Sequence, residues 1–350
     1  MTRTLTILIC VLAFLPHPVN AQSGFRVMSY NVENLFDTED NPDKNDNDFL
    51  PSGNHHWTRG RYYHKLQQIA KVISAAGEWD TPALIGLCEV ENDSVLIHLL
   101  NRTPLKQQQY RYCMTHGSDT RGINSAFLYQ RTQFGYISHK EHPVLFTHKT
   151  HKQTRNILHV WGKVITSDTL DVFVCHLPSR YGGEKESEAD RFDAARTLRH
   201  LCDSLLQIRK TPQLLIMGDF NDTPENASIT QILSAGKTSG NPESGKLYNL
   251  FADPHVLNNP GTHKYQGEWN QLDHIIVSGN LIDKNSPMHV VPGSNRIFMP
   301  PFLLTNDKTW HGKRPFRTYY GFKYEGGYSD HLPLITDFLL SLHSEVTKRV

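Results

Sequence analysis

Four short apolar segments of this sequence each run directly into a polar residue that can do chemistry. These residues are one amide, two carboxylates and one imidazole: Asn31 after 27–30, Glu89 after 84–88, His176 after 172–175 and Asp219 after 214–218. One such strand would show only that it reaches the surface. Four of them, with Asn221, Asp273, Asp330 and His331 still to be placed, fit a convergent site better. Carboxylate and amide oxygens without thiolates are hard ligands, which suit Mg²⁺ or Mn²⁺.

Two of these residues, Asp219 and Asn221, are separated by a single residue. On an extended segment their side chains would point to the same side and could reach one phosphate or one water molecule. Gly-Asp-x-Asn is also the sequence of an ordinary Asx turn, and residues 221–224 have turn composition. Both interpretations can hold together.

The elements that must hold these residues follow from the hydrophobic pattern. Short apolar runs with turn residues between them predict eight strands, over 25–30, 83–88, 126–129, 157–165, 170–175, 214–217, 275–277 and 332–338. Helical spacing of apolar residues predicts two helices, around 62–73 and 192–205. Many strands with few helices predict an α/β fold in which two sheets pack face to face with helices outside. No repeat or flexible linker divides residues 22–350, so we expect one domain.

The first residues differ from the rest of the chain. Arg3 precedes an unbroken apolar run over 5–15, which is followed by two prolines and by Val19-Asn20-Ala21. This order is typical of a secretory signal peptide over residues 1–21. The run is too short for a permanent membrane helix. We therefore expect an exported protein, periplasmic or extracellular.

Composition excludes several classes of protein. The chain has 350 residues, 38% of them hydrophobic and 20% charged, which is globular rather than disordered or collagen-like. Lys and Arg number 36 against 35 Asp and Glu, so any recognition of phosphate must be local rather than driven by bulk charge. The cysteines after residue 21 have neither CxxC nor zinc-site spacing, and we expect buried free thiols at Cys88, Cys113, Cys175 and Cys202.

Six short motifs surround the polar residues. They are Ser-Tyr-Asn-Val-Glu-Asn at 29–34, Cys-Glu-Val at 88–90, Cys-His-Leu-Pro-Ser-Arg at 175–180, Gly-Asp-Phe-Asn-Asp at 218–222, Leu-Asp-His at 272–274 and Ser-Asp-His-Leu-Pro at 329–333. Each alone is weak, but this ordered set across almost the whole chain after residue 21 is specific. It resembles the endonuclease/exonuclease/phosphatase superfamily. The resemblance implies a four-layer α/β sandwich of two mixed sheets and metal-dependent hydrolysis of phosphoesters.

The resemblance also implies the ligands of the metal. Glu89 is similar to the family's principal ligand, and Asn31 and Asp330 complete the shell directly or through water. For Asn31 the alternative is a turn residue that follows a strand. The expected cofactor is Mg²⁺ or Mn²⁺.

The same resemblance assigns the catalytic groups. His331 is similar to the general base, or to the group that orients the attacking water, and Asp273 holds its imidazole in the right tautomer. Asp219 and Asn221 position the nucleophile and the scissile phosphate. His176 donates to a phosphate oxygen and stabilises the transition state. Whether Asp219 or His331 is the base stays open.

Three further residues could touch substrate. Arg121 precedes a strand and could contact a phosphate, although loop arginines are usually solvated. Arg180 could reach the same anion as His176, or form a salt bridge at the rim. Trp269 could flank the substrate or serve in packing. The acidic segment 37–48 lacks the Gly and Glu of an EF-hand, so we expect a solvated loop there.

The function expected from these features is phosphodiester hydrolysis by a monomer without a stable protein partner. A nuclease acting on DNA or RNA is the leading hypothesis, with basic clusters at 148–152 and 311–314 as contacts for a polyanion or as solvated faces. The alternatives are a phospholipid or sphingomyelin phosphodiesterase, for which 297–304 is apolar enough, and a phosphatase of small molecules. A catalytically dead binding module ranks third, because every site position is filled.

Overall fold

We describe the protein from a computed structural model. The structure describes residues 23–78, 81–149, 152–166, 168–238, 240–253 and 260–341. The predicted signal peptide, 1–21, lies outside the described residues.

The chain forms short strands and three longer helices. In chain order the strands are β1 (Ser23–Leu35), β2 (Leu84–Val90), β3 (Arg111–Met114), β4 (Asn124–Tyr129), β5 (Phe134–His142), β6 (Ile157–Val164), β7 (Thr169–His176), β8 (Gln213–Asp219), β9 (Ala235–Gly236), β10 (Leu247–Asn249), β11 (His263–Tyr265), β12 (Glu268–Asn270), β13 (Asp273–Ser278), β14 (Met288–Val290), β15 (Arg296–Ile297), β16 (Leu304–Asn306), β17 (Lys313–Pro315), β18 (Tyr319–Tyr320), β19 (Lys323–Tyr324) and β20 (Leu334–Leu340). The helices are α1 (Arg59–Gly77), α2 (Asp93–Asn101) and α3 (Glu184–Ile208). Short helical turns lie at Asn47–Phe49, Pro104–Gln108, Ser228–Ile232, Gly279–Leu281 and Pro301–Leu303.

These strands build two large mixed sheets. The first has the order β14-β20-β1-β2-β4-β3, with β15 also paired to β20, and the second has the order β5-β6-β7-β8-β13-β10-β9. A parallel pair lies in the middle of each sheet, β1 with β2 and β7 with β8, and the short edge pair of β9 with β10 is also parallel. Three small hairpins, β11–β12, β16–β17 and β18–β19, stand apart from the sheets.

Successive side chains of a strand point to opposite faces of its sheet, so one face packs against the other sheet and the other face packs against helices. In β7 and β8, Val174 and Met217 belong to the large core between the sheets, whereas Phe173 and Ile216 pack with α3. The two sheets approach closely at Gly86 of β2, where an added Cβ would lie 2.7 Å from the Met217 sulfur. Helix α1 buries its apolar face in the same core as the first sheet. The four-layer sandwich expected from the sequence is therefore confirmed.

All eight predicted strands and both predicted helices are present, several with longer bounds than predicted. The four cysteines are buried and free, as predicted: Cys88, Cys113, Cys175 and Cys202. Among the described residues, no helix is long and apolar enough to cross a membrane.

Candidate active site

Three of the predicted site residues lie side by side across the second sheet. His176, the last residue of β7, is the register partner of Asp219, the last residue of β8. Asp219 is in turn the register partner of Asp273, the first residue of the antiparallel strand β13. The pairing of β7, β8 and β13 therefore brings an imidazole and two carboxylates to one sheet edge.

The first sheet delivers Asn31 and Glu89 in a different way from that predicted. Strands β1 and β2 do not end at these residues but continue to Leu35 and Val90 through irregularities in the ladder. Glu89 has φ +66° at the register shift of β2, and Glu33 has φ +53° in β1. Such bulges are common beside active sites because they redirect a side chain out of the strand's alternation.

The two sheets meet at one oxygen of Asp219. Its Oδ2 accepts a 3.0 Å hydrogen bond from Nδ2 of Asn31, which is in the other sheet. The same Oδ2 lies 3.6 Å from Nε2 of His176 and 3.8 Å from Nε2 of His331. Burial, and secondarily the charge of Asp273, raise the pKa of Asp219 to about 7. This carboxylate is thus the centre of the site.

The spacing of Asp219 and Asn221 produces a turn and not an extended segment. Asn221 has φ +52°, and its N–H donates to Oδ1 of Asp219 at 2.8 Å. The Asn221 side-chain amide donates to the carbonyl of Leu177 at 3.0 Å. The extended alternative is wrong, because the Asx hydrogen bond closes the backbone directly after β8. Asn221 instead ties the loop after β8 to the loop after β7.

His331 is held by a carboxylate behind it. Its Nδ1 lies 2.8 Å from Oδ2 of Asp273, which leaves Nε2 facing Asp219. Burial alone would lower the pKa of His331, but the negative charges of Asp273 and Asp219 raise it well above its ordinary value. The His331 N–H donates to Oγ of Ser329, which donates to the carbonyl of Asn31. These two hydrogen bonds tie the backbone of His331 to strand β1 of the first sheet.

His176 has the opposite electrostatic character. It is 5% exposed, and burial, together with the charges of Arg155 and Arg121, lowers its pKa well below the ordinary value. Its Nε2 lies 3.6 Å from Asp219 and 3.9 Å from Oε1 of Glu89. A neutral imidazole between two carboxylates can donate one hydrogen bond to an oxygen placed between them.

The predicted metal ligands occupy both sides of this cluster. Glu89 accepts the N–H of Asn34 at 2.8 Å. Asp330 accepts from Nη2 of Arg317 at 2.9 Å and lies 3.9 Å from Nε2 of His263. Burial alone would raise the pKa of Asp330, but the charges of Arg317 and His331 lower it below its ordinary range.

The donor set fits a divalent cation. In the described part of the chain, two compact groups could hold a metal ion, namely Asp219 with Asp273 and His331, and His263 with Asp330 and His331. Oδ1 of Asp273 is buried without a hydrogen-bond partner. A buried carboxylate oxygen without a donor is a suitable ligand for a hard cation, although these groups also contain imidazoles. Of the predicted ligands, Asp330 belongs to the second group and Glu89 to neither.

The two predicted substrate-binding arginines have different surroundings. Arg121 is largely exposed, donates to Oδ1 of Asn34 and lies 3.8 Å from Glu89, at the edge of the site. Nε of Arg180 donates a 2.6 Å hydrogen bond to the carbonyl of Asn221. The other guanidinium nitrogens contact Glu184, Asp222 and Asn226. The rim salt bridge predicted for Arg180 is present, and its contact with substrate stays a prediction. Trp269 is partly buried against the core, which is the packing alternative.

An ion network beside Asp330 was missed by sequence reasoning. Arg317 joins Asp330 to the buried Glu33, whose Oε1 accepts from Arg317 at 3.1 Å. Buried Lys65 lies 3.7 Å from Glu33, and burial lowers its pKa to about 8. Glu33 lies inside the first motif and could have been singled out there. Lys65 and Arg317 lie in no motif, and His263 stands alone in the sequence.

The acidic segment 37–48 and the two basic clusters form hydrogen bonds and ion pairs with other parts of the chain. Lys44, in the acidic segment 37–48, donates to the carbonyls of Gly117 and Asp119 and so fastens that loop to the one carrying Arg121. In the basic cluster at 148–152, the described members His148, Lys149 and Lys152 pair with buried acids of α3. In the second cluster, Arg314 binds both carboxylate oxygens of Glu325. Lys313 of the same cluster donates to the amide oxygen of Asn306.

This fold carries an imidazole–carboxylate pair and further carboxylates where its two sheets meet, and with the family match that follows it places the chain among the phosphoester hydrolases. The chain belongs to the Endonuclease/Exonuclease/phosphatase family, whose family model matches residues 26–339. A search of curated proteins found no match.

Solved structures share the fold over nearly their whole length. The Bacteroides thetaiotaomicron mannosyl-6-phosphatase Bt3783 is 17% identical with a TM-score of 0.55, covering 90% of this chain and 99% of its own. The human nocturnin catalytic domain with bound sulfate is 15% identical with a TM-score of 0.54, covering 91% and 97%. D. rerio TDP2 complexed with single strand DNA product is 14% identical with a TM-score of 0.53, covering 90% and 99%. At these identities the likeness shows the fold.

Proposed function

We propose that this protein is an exported phosphodiesterase, dependent on Mg²⁺ or Mn²⁺, that hydrolyses DNA or RNA. The observation that carries the proposal is the arrangement around Oδ2 of Asp219, which faces Asn31, His176 and His331, with Asp273 behind His331. These groups can organise a water molecule on one side of a phosphate and donate to its oxygens on the other.

Each residue has a separate task in the proposed reaction. Neutral His331 accepts the proton of the attacking water at Nε2, because its Nδ1 is bound to Asp273. Asp219 positions that water, and Asn31 fixes the carboxylate that does so. His176 donates from Nε2 to a phosphate oxygen as negative charge increases in the transition state. The alternative in which Asp219 accepts the proton uses the same geometry.

The carboxylates of Glu89 and Asp330 and the amide oxygen of Asn31 are the residues that would hold the cation. When bound, a divalent cation supplies charge stabilisation to the phosphoryl oxygens and to the leaving group. Asp219 and His331, with Asp273 behind the imidazole, would orient the water that attacks.

The apolar segment 297–304 argues against a lipid substrate. Ile297 and Leu303 are buried, and the other apolar members, Phe298, Met299, Phe302 and Leu304, pack partly against the core. A membrane-inserting loop would need these side chains exposed. Nucleic acid as substrate is also supported by the structural neighbour that holds a single-stranded DNA product.

The test is hydrolysis of plasmid DNA, RNA, sphingomyelin vesicles, inositol phosphates and mannose 6-phosphate, each with Mg²⁺, with Mn²⁺ and with chelator. We expect cleavage of a nucleic acid that chelator abolishes. His331→Ala should lose the activity, and His200→Ala, an exposed histidine on α3, should keep it. Cleavage of sphingomyelin or a small phosphate ester without any cleavage of nucleic acid would overturn the proposal.

A further inference from the structure

A pocket of about 260 Å³ lies directly beside the candidate active site. It is lined by Asp330 and Arg317 on the catalytic side and by the rings of Tyr265, Trp310 and Tyr320 on the outer side. We call it the aromatic pocket. Because the carboxylate of Asp330 lies within 4.8 Å of a ring nitrogen of His331, a molecule bound here would lie next to the phosphate that the site handles.

The three rings are exposed to an unusual degree for large side chains. Tyr265 is 64% exposed, Trp310 50% and Tyr320 39%. In the described part of the chain, no aromatic pair includes any of them. The guanidinium of Arg314 covers Tyr320 at 4.4 Å from the ring centroid. Each ring thus retains surface that no other aromatic side chain uses.

The hairpins that carry these rings are held rigidly. Lys264 of β11 donates to Oδ2 of Asp307 at 2.9 Å, and both side chains are buried. Oδ1 of Asp307 accepts the backbone N–H groups of Thr309 and Trp310. A buried ion pair between two hairpins therefore fixes the turn from which Trp310 projects.

The opposite hairpin supports one side of Trp310. Gly267, with φ +90° in the β11–β12 turn, approaches the indole so closely that an added Cβ would lie 3.4 Å from Cε3 of Trp310. A larger residue would need both a strained backbone and a displaced indole. The indole is thus positioned in advance and does not need to be ordered on binding.

We propose that the aromatic pocket binds the nucleobase of the nucleotide next to the hydrolysed phosphate. This inference rests on the function proposed above. Flat, preset aromatic rings beside a phosphate site suit a planar ring that stacks, and base stacking on aromatic side chains tolerates any sequence. Arg317, which lines the pocket and binds Asp330, would link occupation of the pocket to the catalytic carboxylate.

The test compares the binding of adenosine 5′-monophosphate and ribose 5-phosphate, which differ by the base. Affinities are measured by calorimetry in chelator, so that the result does not depend on hydrolysis. We expect the wild-type protein to bind the nucleotide roughly 10-fold tighter or more, as base stacking predicts. Trp310→Ala should make the two affinities equal, and Trp310→Phe should restore part of the difference.

Tyr136→Ala is the matched control, since this ring is 37% exposed on β5, away from the aromatic pocket. It should keep the wild-type preference, and Tyr265→Ala gives a second variant in the pocket. Equal wild-type affinities, tighter binding of mannose 6-phosphate, or a preference that survives Trp310→Ala would overturn the inference. Absence of nucleic acid hydrolysis with the preference intact would instead overturn the proposed function.

Discussion

The two oxygens of Asp219 have different tasks at the residue scale. Oδ1 closes the turn at Asn221, and Oδ2 faces Asn31 and the two histidines. Their surroundings move the pKa values of the two histidines in opposite directions, since burial lowers that of His176 while the charges of Asp273 and Asp219 raise that of His331. A pair of titratable groups with pKa values moved apart is typical of acid–base catalysis.

The first prediction concerns the pH dependence of His331. Because its folded pKa is raised, the ring loses its proton only as pH rises above the usual histidine value of about 6.5, and kcat/KM should rise with it. Asp273→Asn removes a negative charge, so the acid limb should move to lower pH while the rate falls strongly. The measurement is a pH profile of kcat/KM. If His331→Ala kept near-normal rates and the same fall of kcat/KM at acid pH, Asp219 and not His331 would be the base.

The second prediction concerns Glu89 as a metal ligand. Glu89→Gln removes the charge but keeps the size, so Mg²⁺ or Mn²⁺ should bind far more weakly. The rate should fall by orders of magnitude, because metal charge stabilisation contributes several kcal/mol. Calorimetric titration with each metal, alongside activity, checks this. The control Glu39→Gln alters an exposed carboxylate and should change neither the metal affinity nor the rate. Full activity of Glu89→Gln in chelator would show that Glu89 is not a ligand of a catalytic metal.

At the element scale, sequence predicts the centre of each sheet better than its edges. Strands β7, β8 and β13 contain unbroken apolar runs, at 172–175, 214–217 and 275–277, because neighbours cover both faces of these strands. Strand β5 was missed because it is a polar edge strand with Phe134 as its one fully buried side chain. Helix α2 was not predicted because its nine residues are too few to show a clear helical spacing of apolar residues.

Sequence patterns also predict only part of the candidate site. Its polar residues could be named from strand ends and motifs, since those signals are local. The bulge at Glu89 and the network of Arg317 with Glu33 could not, because both depend on strand pairing and on contact between residues 284 apart. Local sequence therefore predicted most of the residues that the fold brings together, and tertiary structure decided the direction of their side chains.

The third prediction concerns Gly218, which precedes Asp219 in β8. It has φ +140°, and an added Cβ would overlap the carbonyl oxygen of Cys175 in β7. Gly218→Ala should lower the free energy of unfolding by roughly 3 kcal/mol or more, from backbone strain and overpacking combined. Urea denaturation measures this. Gly245→Ala, where nothing lies within 4 Å, should change stability little. Equal stability of the two variants would contradict the close approach of β7 and β8.

At the scale of the whole molecule, the near balance of 36 basic and 35 acidic residues limits how nucleic acid can be held. Most of the described cations in the two basic clusters are paired with acids, so a nucleic acid should meet few free cations there.

The fourth prediction follows from this balance. The affinity for single-stranded DNA should fall with salt, but with a slope that corresponds to a few phosphate contacts, at about 0.7 per contact. Fluorescence anisotropy over a salt series, in chelator, measures the slope. A steep slope of the kind given by a polycationic groove would show that cations now paired with acids are released on binding.

The fifth prediction concerns stability in acid. Asp171 of β7 is buried and accepts two hydrogen bonds from Arg209, just after α3, at 2.8 and 2.9 Å. Burial alone would raise the pKa of Asp171, but the bonds from His159 and Arg209 lower it. The pair therefore stabilises the fold above the unfolded carboxyl pKa of about 3.9, and this contribution is lost as pH falls through the lower folded value.

Asp171→Asn should cost about 2 kcal/mol at neutral pH, as expected for hydrogen bonds to a charged group, and less in strong acid. Urea unfolding at both pH values measures the difference. Asp203→Asn, which removes the exposed pair with Arg199, should cost at most about 1 kcal/mol. A penalty for Asp171→Asn that does not depend on pH would show that the carboxylate stabilises by shape alone.

The hydrogen bond from Asn31 to Asp219 joins residues 188 positions apart and closes the site between two sheets. A nascent chain that has made one sheet holds only half of the catalytic groups, so catalysis begins when the last layer docks. Enzymatic activity is then a direct readout of complete folding during refolding or limited proteolysis. For a nuclease that we propose to be exported, the unfolded precursor would be harmless to the nucleic acid of the cell that makes it.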